Sequence, residues 1–80
     1  MGNVTVLFFG ATADAVGLRE HEMAIARDET VASLASHLLK ENPRLAQEKL
    51  LFAVNEKHAD PQHVLAAGDT VAIFTPVSGG

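Results

Sequence analysis

Cysteine is absent from the 80-residue chain. That excludes disulfide staples, thiolate zinc sites and a thiol nucleophile together. Tryptophan and tyrosine are also missing, and phenylalanine occurs four times. Basic residues are few: six Lys and Arg against ten Asp and Glu, a formal charge of −4. Arg19, Arg27, Lys40, Arg44, Lys49 and Lys57 are scattered, so no basic patch is available for a phosphate backbone. Nucleic acid is therefore not an expected partner. No apolar run approaches the ~20 residues of a membrane span. The opening residues MGNVTVLFFG carry neither a basic leader nor a cleavage site, and Val6 stands where a myristoylation pattern needs Ser or Thr. A cytoplasmic location is expected.

What remains is a composition able to fold: 48% hydrophobic and 20% charged. One domain over residues 1–80 is expected, with a flexible tail at 75–80. Val4–Phe9 is a β-branched and aromatic run stopped by Gly10, a strand signal. Residues Ala11–Gly17 are a connection of small residues with room for a helical turn. Glu20–Ala26 alternates, with Met23 and Ile25 on one side, as a second strand does. Thr30 suits a helix N-cap. Val31, Leu34, Ala35 and Leu38 then mark one helical face ending near Asn42, because Pro43 disfavours helix in the residue before it. Pro43–Glu48 has room for one more turn. Leu50–Asn55 and Thr70–Phe74 read as the third and fourth strands, with turns at Asp60-Pro61 and Gly68-Asp69.

Strand, strand, helix, strand, strand defines an α+β fold: a hairpin, a crossover helix and a mixed sheet with that main helix on one face. This is the β-grasp, or ubiquitin-like, arrangement. The first and last strands should be central neighbours. Alternation puts Val4, Val6, Phe8, Val71 and Ile73 toward the helix and Leu7, Phe9, Ala72 and Phe74 on the opposite face. With no second helix to cover it, that face becomes a candidate partner surface, unless segments 10–19 and 56–69 fold over it.

Sites for chemistry within the domain are scarce. His58 and His63 flank Asp60, but the spacing matches no common metal motif, so no metal is expected. His37 should face solvent, and Asp28 and Glu29 should sit by the helix N-terminus. No nucleophile elbow or phosphate-binding glycine loop occurs. The unusual feature is the end, FTPVSGG. Pro76 stiffens the strand exit, Val77 and Ser78 follow, and Gly79-Gly80 can thread a narrow channel because neither carries a Cβ.

Several stretches carry a family resemblance: VLFFG at residues 6–10, Lys49-Leu50-Leu51 with Ala53-Val54-Asn55, and Gly68-Asp69 through Val71-Ala72, Phe74, Pro76-Val77 and Gly79-Gly80. With these the chain resembles, end to end, the small sulfur-carrying subunits of molybdopterin synthase, a ubiquitin-like β-grasp family. The resemblance implies that Gly80 is adenylated by an ATP-using, ubiquitin-activating-enzyme-like adenylyltransferase. It then becomes a thiocarboxylate and donates sulfur to a pyranopterin precursor inside a large subunit, within a heterotetramer. The small subunit would bind no cofactor and would not be catalytic alone. Phe9, Phe74 and Leu7 would contact partners, with His58 giving a more polar rim than is usual. The loop after the first strand has Ala-Thr-Ala-Asp-Ala where relatives often carry an Arg-Glu pair. Two alternatives share the closing glycines: the thiazole-pathway sulfur carrier and a ubiquitin-like protein modifier.

Overall fold

A computed structural model describes residues 2–76. Its elements are β1 (Gly2–Phe8), α1 (Ala11–Val16), β2 (Glu20–Ile25), α2 (Val31–Glu41), a 3-10 turn (Pro43–Gln47), β3 (Leu51–Val54), β4 (Lys57–His58) and β5 (Thr70–Phe74). They form one five-stranded mixed sheet in the order β2-β1-β5-β3-β4. β1 and β5 are parallel neighbours at its centre, with Val6 opposite Val71 and Phe8 opposite Ile73. β2 pairs antiparallel with β1, and β3 antiparallel with β5. The fold is the ubiquitin-like β-grasp.

One addition concerns the sheet edge, where four strands were expected. β3 is shorter than the apolar run, and Asn55-Glu56 makes a two-residue hairpin with φ of 51° and 70°. Positive φ at both central residues matches the right-handed twist of paired strands. The chain then returns as β4, placing His58 opposite Ala53 rather than in a loop after the third strand. A two-residue strand has no hydrophobic period, so the sequence pattern does not reveal it.

The core lies between the sheet and α2. Val4, Val6, Phe8, Val71 and Ile73 are all buried, facing Val31, Leu34 and Leu38 of the helix. The helix begins where Thr30 accepts a hydrogen bond from Ser33 N at 3.2 Å, and Ser33 Oγ accepts from Thr30 N at 3.1 Å. This reciprocal cap satisfies two donors that a helix start leaves orphaned. Asn42 ends the helix, its N–H donating to Leu38 O at 2.8 Å.

The loop segments run mainly on the helix side of the sheet, with His58 of β4 at the margin of the far face. Residues 61–65 run along the start of α2: Val31 N donates to His63 O, Ala32 N to Pro61 O and Leu65 N to Glu29 O, and Leu65 is buried in the core. Ala13, Ala15 and Val16 of α1 pack against that same core. Among the described residues, no helix is long and apolar enough to cross a membrane.

Candidate functional site

The sheet register sets a row of side chains across the face away from α2. Glu20 of β2 lies opposite Leu7, Leu7 opposite Ala72, Ala72 opposite Ala53, and Ala53 opposite His58. One step toward the strand ends, Phe74 lies opposite Leu51. Leu7, Leu51, Ala53, Ala72 and Phe74 are each half-buried, with acidic Glu20 at one margin and His58 at the other. His58 meets Phe74 edge-on, ring centroids 5.9 Å apart at 66°. This geometry puts the positive edge of one ring on the π face of the other.

Phe9 is the correction to this face. It follows the last residue of β1 instead of sitting within it, and stands 51% exposed. Its N–H donates to Ile73 O at 3.1 Å and Thr12 Oγ1 at 3.0 Å, which keeps its backbone fixed beside the exit of β5. Gly10 comes next with φ 55° and ψ −128°. Residues with a Cβ rarely adopt that conformation, so the turn from β1 into α1 depends on glycine. Phe9, Gly10, Glu48, Lys49, Phe74, Thr75 and Pro76 line one open groove. The groove therefore lies where the central strand leaves the sheet and leads to the last described residue. Val77, Ser78, Gly79 and Gly80 lie outside the described residues.

The structure thus brings Phe9, Phe74 and Pro76 together at one end, with Leu7 and His58 on the adjoining face. Two polar residues have partners that the sequence pattern does not show. Thr12 is completely buried, and no periodicity marks one hydroxyl among small residues. Glu29 was placed by the helix start, but its bonding was not legible. Its carboxylate accepts from Ala26 N at 3.0 Å and from Ser33 Oγ, and lies 3.9 Å from His37 Nε2. Donation from Ser33, then from Ala26, and the charge of a protonated His37 hold the Glu29 carboxyl below the usual range, against the opposing effect of burial. His37 itself is largely exposed.

No group of three or more His, Cys, Asp or Glu is placed to hold a metal ion among the described residues. The distinctive features are apolar and positional: a half-open sheet face, an aromatic groove and a chain exit between them. These define a small β-grasp domain with an open sheet face beside the exit of its central strand. Its sequence matches the ThiS family over residues 6–80, and the chain belongs to that family. It is 40% identical over 81 residues to the molybdopterin synthase sulfur carrier subunit of Escherichia coli, covering 96% of this chain and 99% of that one. The crystal structure of small archaeal modifier protein 1 from Haloferax volcanii superposes with a TM-score of 0.85 at 27% identity, over 99% of this chain and 100% of that one. A complex of subunits 1 and 2 of the molybdopterin-converting factor from Helicobacter pylori contains a chain with TM-score 0.70 at 23% identity, covering 98% and 99%.

Proposed function

We propose that this chain is the sulfur carrier of a molybdopterin synthase and acts in molybdenum cofactor biosynthesis through the carboxylate of Gly80. The observation that carries the reading is the 40% match to a sulfur carrier subunit over 99% of that protein's length. The groove of Phe9, Phe74 and Pro76 at the β5 exit supports it.

A carboxylate is a poor acyl donor and must first be activated. One Gly80 oxygen attacks the α-phosphorus of ATP on a partner adenylyltransferase, and diphosphate leaves. A sulfide-equivalent donor then attacks the acyl carbon, AMP leaves, and a thiocarboxylate results. In the large subunit the sulfur passes to the pyranopterin precursor, and an oxygen from water restores the carboxylate. The carrier's own residues do the delivering. β5 is held between β1 and β3, so the chain departs from a strand paired on both edges. Pro76 restricts the exit, and the apolar face of Leu7, Ala72 and Phe74 docks on the large subunit. Ordering the last three residues costs roughly 3–6 kcal/mol of backbone entropy, which burial of that face offsets.

The likeness to an archaeal modifier protein motivates a second reading, in which Gly80 forms an isopeptide bond with lysines of other proteins. Intact mass spectrometry of the chain after incubation with ATP, its adenylating partner and a sulfur source separates the two. The carrier reading expects exchange of one terminal oxygen for sulfur, followed by product formation when the large subunit is added. Removal of Gly80 should abolish both while leaving the melting temperature unchanged. Lysine adducts without a thiocarboxylate would replace this reading with the second one.

A further inference from the structure

The open end of the β1–β5 pair is closed by a buried hydroxyl. Thr12 Oγ1 lies 2.7 Å from Phe9 O and 3.0 Å from Ile73 O, and accepts from Phe9 N at 3.0 Å. Its single proton is shared between the two carbonyls. Backbone bonds complete the knot: Phe9 N donates to Ile73 O at 3.1 Å, and Thr12 N to Phe9 O at 3.1 Å. Three points of the chain thus meet at one atom: the end of β1, the first turn of α1, and β5 one residue before Phe74.

We propose that Thr12 is a positioning residue for delivery of the chain end. Its hydroxyl fixes the angle at which β5 leaves the sheet and the spacing of Phe9 from Phe74. Thr75 and Pro76 then emerge in the direction the partner's site receives. The inference rests on the carrier reading.

The hydrogen-bond inventory separates this role from simple stabilisation. If the hydroxyl is removed, Phe9 O keeps Thr12 N, and Phe9 N and Ile73 O keep each other. No buried backbone group is orphaned, so folding loses little. What disappears is the tie between α1 and β5. In the first turn of α1 nothing else supplies a comparable side-chain tie, since its N-cap is Gly10, without a capping side chain.

The test compares Thr12→Val, which keeps the shape without the hydroxyl, with Thr12→Ser, which keeps the hydroxyl. Sulfur-charged full-length carrier is titrated into the large subunit and product formation is followed. The valine variant should raise the KM for carrier about fivefold, the equivalent of one neutral hydrogen bond, with kcat unchanged; the serine variant should return KM to the wild-type value. Nitrogen-15 relaxation of the free chain gives a second readout, with faster local motion at Phe74 and Thr75 in the valine variant only. An unchanged KM for Thr12→Val, or equal relaxation in all three proteins, would overturn the proposal. If charged wild-type carrier itself yields no product, the carrier reading fails, and the relaxation comparison alone decides whether Thr12 holds the β5 exit.

Discussion

The two faces of the sheet are built from the same two central strands, yet they are not equivalent. Toward α2, β1 and β5 contribute Val4, Val6, Phe8, Val71 and Ile73, every one buried. On the other side the same strands contribute Leu7, Ala72 and Phe74, each only half-buried, with Phe9 exposed beside them. Alternation along a strand assigns each residue to one face or the other, so the chain divides its apolar residues between two tasks. All of those closed-face strand residues except Phe8 are β-branched, with few rotamers to lose. The open face takes Leu, Phe and Ala, which leave apolar area uncovered. Sequence hydrophobicity alone does not distinguish these tasks; strand parity does.

The sharpest way to break this comparison is to truncate one residue on each side. Ile73→Ala removes a fully buried side chain from the closed face, and should cost about 2–5 kcal/mol of folding stability by denaturant unfolding. Phe74→Ala, one residue later, should change the unfolding midpoint far less but weaken binding of the large subunit by about 2 kcal/mol, roughly thirtyfold. Calorimetric titration with that subunit reads the second effect. If Phe74→Ala proved as destabilising as Ile73→Ala, or bound normally, the division between the faces would be wrong.

That division was legible because it depends on period-two patterning in Val4–Phe9 and Thr70–Phe74. The helix was legible for the same kind of reason: Val31, Leu34 and Leu38 repeat at helical spacing, and Thr30 announces the start. Pro43 marks its end, and the 3-10 turn follows where a further turn was expected. Features without a period were not legible. β4 depends on two residues and a turn at Asn55-Glu56. The bonds of Thr12 and Glu29 depend on which distant backbone groups the fold brings near. The aromatic groove was read in part, since Phe9 and Phe74 were paired by parity, whereas Glu48 and Lys49 reach it only through the path of the chain after α2.

A smaller effect belongs to the helix start. Thr30→Ala removes the side-chain acceptor for Ser33 N and should cost about 1 kcal/mol of stability. Hydrogen exchange should show fraying confined to the first turn of α2. Binding through the open face should not change, because that turn lies on the other side of the sheet. A variant that altered partner affinity would show that the two faces are coupled through the helix.

The smallest effect concerns Glu29 and depends on pH. Its carboxyl titrates below the ordinary value of 4.5 because Ser33 and Ala26 donate to the charged form. A depressed carboxyl contributes stability that is fully present above its unfolded-state pKa and is lost as the pH falls through the lower folded-state value. Glu29→Gln keeps an amide oxygen to accept from Ala26 N but turns an NH2, which can only donate, toward Ser33 Oγ; with that hydroxyl donating to Thr30 O instead, the loss near pH 7 should be about 1 kcal/mol, the difference between a charged and a neutral hydrogen bond. The gap between variant and wild type should be flat at neutral pH and should close as the solution is acidified past the carboxylate range. Denaturation midpoints measured from pH 7 down to strongly acidic solution read this directly. A gap that widened on acidification would mean that the folded-state carboxyl is raised instead, and that burial outweighs the donors from Ser33 and Ala26. Because all of this chemistry lies on the closed side, the open face should dock equally well in both proteins at neutral pH.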